Sequence, residues 1–64
     1  LMAFSLTPRQ AQLLRFIAGY QEAHSGVSPS FDEMAAGIGC ESNGRTHELV
    51  TALEERGYLL RLRN

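Results

Sequence analysis

A chain of 64 residues, 44% of them hydrophobic, has room for one small core and the composition of a globular domain rather than a disordered one. Six arginines, no lysine and seven acids leave a net charge of −1, so no basic excess marks a polyanionic partner and any phosphate binding depends on where the arginines lie. A single cysteine excludes an internal disulfide and a thiolate metal cluster, and neither a membrane-length apolar run nor a basic-then-apolar leader is present, so a cytoplasmic, reducing compartment is expected.

Thr7-Pro8-Arg9-Gln10 is a helix start. Thr7 can cap the free N–H groups, Pro8 suits the first helical position, and Gln10 completes a capping box. Leu6 before the cap can supply a hydrophobic staple. Leu13, Leu14, Phe16, Ile17, Tyr20 and Ala23 then recur at helical spacing, which predicts an amphipathic helix to about His24, stopped by Gly26. His24 sits where a protonated imidazole favours a helix C-terminus.

Ser28-Pro29 forces an extended connection, because the residue before proline avoids the helical region. Ser30-Phe31-Asp32-Glu33 repeats the capping box, and Phe31, Met34, Ala35 and Ile38 form an apolar stripe. Gly37 and Gly39 make a long helix costly here, so the second helix should end near Gly37 or Ile38.

A polar turn, with Cys40 as a small apolar filler, leads to Ser42, the third cap. Thr46, Leu49, Val50 and Leu53 mark one face of a third helix, about 43–56, which Gly57 ends. Tyr58-Leu59-Leu60-Arg61-Leu62-Arg63 partly alternates and suits a strand, with Val27-Ser28 as a possible pairing partner. Phe16, Tyr20, Phe31 and Tyr58 are expected in the core, with the two tyrosine hydroxyls at its surface. The chain begins Leu-Met and stops at Asn64 after an apolar-basic run, so it is expected to be a piece of a longer protein cut within the last element.

A short helix, a glycine-containing turn and a following helix form the helix-turn-helix unit, whose second helix can lie in the DNA major groove. Opposite its apolar face the third helix carries Asn43, Arg45, His47, Glu48 and Thr51, with Arg45 the best candidate for a guanine edge. Ser42 is chiefly a cap, and a cap can also donate to a phosphate. Thr46, although counted with the apolar face, is included among the DNA-facing candidates. Arg9 is a candidate backbone contact, and Arg61 and Arg63 would arm a wing facing phosphate or the minor groove. Glu54 and Glu55 should face away from DNA.

The expected fold is mainly α: one three-helix winged helix-turn-helix domain over residues 1–64 with a short β-wing. The expected function is sequence-specific binding of double-stranded DNA, with a homodimer possible and no small-molecule substrate evident. The alternative is a winged-helix protein-interaction or dimerisation module that never touches DNA. Catalysis finds no support: two isolated histidines lie in different elements, with no phosphate loop and no nucleophile-base pair. Nothing calls for a cofactor or a metal.

A family resemblance points the same way. Leu6-Thr7-Pro8-Arg9-Gln10, then Gly26-Val27-Ser28-Pro29-Ser30 and Glu33-Met34-Ala35, then Ile38-Gly39, Ser42, Ala52-Leu53 and Arg56-Gly57 resemble the DNA-binding domain of the LexA family of SOS repressors. The family pattern runs roughly LTxRQ, GxPPTxxEIAxxLG, and a serine-started helix ending in LxxKG. It aligns without gaps from Leu6 to about Leu62. The resemblance implies a winged helix-turn-helix and repression by operator binding. In the family a Ser, an Asn, an Ala and two Glu face the operator. Ser42 and Glu48 keep their types, while Gly44, Arg45 and His47 stand at the Asn, Ala and first Glu positions, so the reading face departs from the family's. The family's C-terminal self-cleaving peptidase uses a Ser-Lys dyad, which a chain without lysine does not hold.

Overall fold

The computed structural model describes residues 6–60, and all structural statements concern these. Three helices follow in order: α1 (Pro8–Ala23), α2 (Phe31–Ile38) and α3 (Asn43–Glu55). Each begins at an extended hydroxyl residue whose side chain accepts from a backbone N–H in the first turn: Thr7 from Gln10, Ser30 from Glu33 and Ser42 from Arg45. The first two caps are reciprocal boxes, with the Gln10 and Glu33 side chains bonding back to the Thr7 and Ser30 amides. Capping matters here because the helices are short and mostly stabilised by packing rather than by propensity.

Each helix contributes one apolar side to a shared core. Leu13 and Ile17 from α1 meet Met34, Ala35 and Ile38 from α2 and Leu49, Val50 and Leu53 from α3. Leu6, Leu14, Phe16, Phe31, Cys40 and Leu59 close the rim of this cluster. Leu6, just before the Thr7 cap, thus packs against the core, and Cys40 fills the turn as expected. Each fully buried aliphatic side chain contributes roughly 1.5–3 kcal/mol, so the core outweighs any single polar contact at the surface.

The link between α2 and α3 is set by Gly39. Its φ of 68° is left-handed, and the Cys40 amide then closes back onto the Ala35 carbonyl at 2.8 Å. The chain reverses within residues 39–42, and α3 starts immediately after. This tight turn brings α3 against α2, where Leu49, Val50 and Leu53 share the core with Met34 and Ile38.

No strand is present among the described residues. Residues 27–30 lie outside any helix or strand, and Tyr58–Leu60 leaves α3 without entering a sheet. The rest of the expected strand, including Arg61 and Arg63, lies outside the described residues. Tyr58, expected in the core, is instead exposed, and Leu60 is 91% exposed. The Tyr58 amide bonds to the Leu53 carbonyl at 2.9 Å in a helix-ending turn, after which Leu59 alone of the three packs against the core while Tyr58 and Leu60 face outward.

Candidate nucleic-acid interface

The exposed side of α3 carries Asn43, Arg45, His47 and Glu48, with Thr51 half-buried beside them and Ser42 at its start. The i, i+3 and i+4 spacing that sends Thr46, Leu49, Val50 and Leu53 inward sends these residues outward. Ser42 acts as a cap: its Oγ accepts from the Arg45 amide at 3.1 Å. Its carbonyl accepts from Thr46 Oγ1 at 3.1 Å and from the Cys40 thiol at 3.4 Å.

Thr46 corrects one expectation. It is 0% exposed, and its hydroxyl is spent on the Ser42 carbonyl, so it belongs to the core and not to a DNA-facing surface. A buried hydroxyl needs such a partner, and the i−4 carbonyl supplies it within the same helix.

The outward residues do not stand alone. Asn43 Nδ2 donates to Asp32 Oδ1 of α2 at 2.8 Å. The His47 ring lies against the Phe31 ring, with centroids 5.0 Å apart and planes at 28°. Arg45 Nε pairs with Glu48 Oε1 at 3.5 Å, both side chains being well exposed, so the pair is weak.

Around the start of α3 a groove of roughly 600 Å³ is bordered by Arg9, Cys40, Glu41, Ser42, Arg45 and Glu48. Arg9 reaches it from α1 because its Nη1 donates both to the Ile38 carbonyl and to Gln12 Oε1. Two arginines therefore face two glutamates, and the groove is balanced in charge. The Cys40 thiol sits in this setting with its pKa below the ordinary thiol range. Its bond to the Ser42 backbone is the first cause, followed by the Thr46 hydroxyl and then by Arg9 and Arg45.

Three links escaped the sequence reading: Arg9 to Ile38, Asn43 to Asp32 and Tyr20 to Glu33. The Tyr20 hydroxyl donates to Glu33 Oε2 at 3.0 Å, and its ring stacks on His24 at 3.9 Å. All three join different helices, and local spacing places each residue on its own helix without saying which residue of another helix it meets. Among the described residues no group of three or more His, Cys, Asp or Glu could hold a metal ion, and no helix is long and apolar enough to cross a membrane.

The family model described as LexA DNA binding domain matches residues 3–64. A LexA repressor of Erythrobacter litoralis (strain HTCC2594) is 46% identical over 59 residues, 92% of this chain. The chain spans about a quarter of the length of that relative (25%). No solved structure matches.

Proposed function

This chain belongs to the LexA DNA-binding domain family, and on that premise we propose that it binds double-stranded DNA sequence-specifically as the operator-reading domain of a LexA-like repressor. The carrying observation is the capped 13-residue helix α3, held by a short helix and a tight turn with a polar side outward. That is the arrangement by which a recognition helix enters the major groove. Asn43, Arg45, His47, Glu48 and Thr51 are the base- and backbone-facing set, with Ser42 and Arg9 toward phosphate. Arg61 and Arg63 supply wing contacts from a short β-wing that completes a single domain over residues 1–64. The working form on an operator is a homodimer, and the compartment is the cytoplasm. The role is that of a regulator, not an enzyme.

The test is a titration with mixed-sequence duplex at low salt. Micromolar binding that weakens steeply as salt rises is the expected result. The balanced charge of the Arg9–Arg45 groove favours one second reading, a winged-helix protein-interaction module, and absence of binding at ~50 µM protein selects it.

A further inference from the structure

Two residues in the first turn of α2 brace two residues of α3. Asp32 Oδ1 accepts from Asn43 Nδ2 at 2.8 Å, and the Phe31 ring supports the His47 ring. Asn43 and His47 stand one turn apart on α3, so both braces act on the same side of that helix. Asp32, Asn43 and His47 are exposed, whereas Phe31 is half-buried against the core and fixes the spacing of the two helices there.

The chemistry of the Asp32–Asn43 bond is one-sided. A carboxylate only accepts, so Asn43 must turn its NH₂ toward Asp32. The amide is planar, and its carbonyl oxygen is therefore directed away from that carboxylate. An unbraced asparagine offers a base either its oxygen or its nitrogen, by a simple flip. The braced one commits its nitrogen and one of its two N–H groups to Asp32, and keeps its oxygen as the acceptor on the side away from that carboxylate.

We propose that Asp32, which lies on α2 and outside the recognition helix, is a specificity-positioning residue: by holding the Asn43 amide in one orientation it makes Asn43 prefer a base with an amino donor. In the major groove those donors are adenine N6 and cytosine N4, whereas guanine O6 and thymine O4 are acceptors. This inference rests on α3 being the DNA-reading helix.

Selection from a pool of duplexes with a randomised core tests it, run with the parent chain, Asp32→Ala, Asp32→Asn, Asn43→Ala and the Asp32→Ala/Asn43→Ala pair. The parent is expected to favour adenine or cytosine at one position on the order of tenfold. Asn43→Ala flattens that position. Both Asp32 variants admit guanine or thymine there, while preferences elsewhere hold. In the Asn43→Ala background Asp32→Ala changes nothing more at that position, a non-additivity that a merely structural role for Asp32 does not produce. Should Asp32→Ala fail to fold by circular dichroism, Asp32→Asn carries the test, because it keeps the side-chain shape and leaves the amide pair able to flip. Asp32 variants that retain the parent preference, or an Asn43→Ala that flattens no position, overturn the inference while DNA reading stands. A parent chain that enriches no sequence overturns both.

Discussion

Arg9, in the first turn of α1, donates from Nη1 to the backbone carbonyl of Ile38, the last residue of α2. Carbonyls at a helix end have no intrahelical partner, and a charged donor from another helix satisfies this one. The contact therefore holds the turn at residues 39–42 and, through it, the start of α3. Arg9 also borders the groove at that start, so the side chain proposed to meet phosphate is also one that ties α1 to the end of α2.

Arg9→Ala is expected to lower the unfolding free energy by about 1 kcal/mol, the usual worth of one such bond after allowing for its partial exposure. Arg9→Lys keeps the charge and loses the fork. Denaturant unfolding of both variants separates the roles: equal losses mean the forked contact matters, and a lysine that restores full stability means only charge does. The same pair titrated with duplex DNA reports the phosphate role independently.

Two helical glycines should respond to alanine in opposite directions. A methyl at Gly19 meets nothing within 4 Å, so Gly19→Ala is expected to stabilise by ~0.5–1 kcal/mol through helix propensity alone. At Gly37 the methyl would run into the Phe16 ring. There the same propensity gain is opposed by an overpacking cost of ~1–3 kcal/mol, and a net loss of up to about 2 kcal/mol is expected. Thermal melts decide it, since 1 kcal/mol moves the midpoint of so small a domain by ~4–8 °C. Gly37→Ala melting above the parent would mean that Phe16 rotates away at little cost.

Glu33 joins a cap to an interhelical contact, and this gives the stability a pH dependence. The Ser30 backbone N–H chiefly holds its carboxyl below the ordinary range, followed by the Tyr20 hydroxyl, with His24 adding a smaller pull. The unfolded chain thus binds this proton more readily than the folded one. The stabilisation is present above the ordinary carboxylate pKa and is lost as pH falls through the folded value. Tyr20 has the opposite limb: with its pKa raised, first by the bond to Glu33, it stabilises below the ordinary tyrosine range and loses this as pH rises through the folded value. Glu33→Gln keeps an oxygen for the Ser30 amide but cannot titrate. Its melting temperature is expected below the parent's at neutral pH, with the gap closing as pH falls through the lowered folded pKa of Glu33. A gap that stays constant across that range would remove Glu33 as the source of the acid limb.

The helices were legible because their signals are local. Thr7, Ser30 and Ser42 each sit at an N-cap, and helix ends fell within a residue or two of those read from glycine placement. What the sequence could not disclose is how side chains meet across elements. The spacing of Thr46 with Leu49, Val50 and Leu53 places it on the inward face, but its type also puts it among the DNA-facing candidates, and only the Ser42 carbonyl bond shows that its hydroxyl is spent inside. Arg9 looks like a free cation until the turn brings the Ile38 carbonyl beneath it. The alternation of Tyr58 to Leu60 reads as a strand, but pairing is a property of two segments, and among the described residues those three have no ladder partner.

Arg45 and Arg63 should fail differently on DNA. Arg45 lies in the first turn of α3, exposed and bordering the groove at the helix start, where side chains reach base edges. A bidentate arginine–guanine contact discriminates by ~1–3 kcal/mol. To make it, Arg45 must leave Glu48, and that costs little because both side chains are well exposed. Arg63 follows α3 in the segment proposed as a wing, where a phosphate contact is blind to sequence and lowers the salt slope by ~1. Arg45→Ala is therefore expected to relax preference between matched and mismatched duplexes, whereas Arg63→Ala weakens binding to both alike. Glu48→Ala adds an internal check: it frees Arg45 and removes a negative charge, so non-specific affinity should rise at low salt. Each variant is titrated against both duplexes at several salt concentrations. If Arg45→Ala lost equal affinity on every duplex, α3 would be touching phosphate only, and sequence-specific repression by this helix would lose its physical basis.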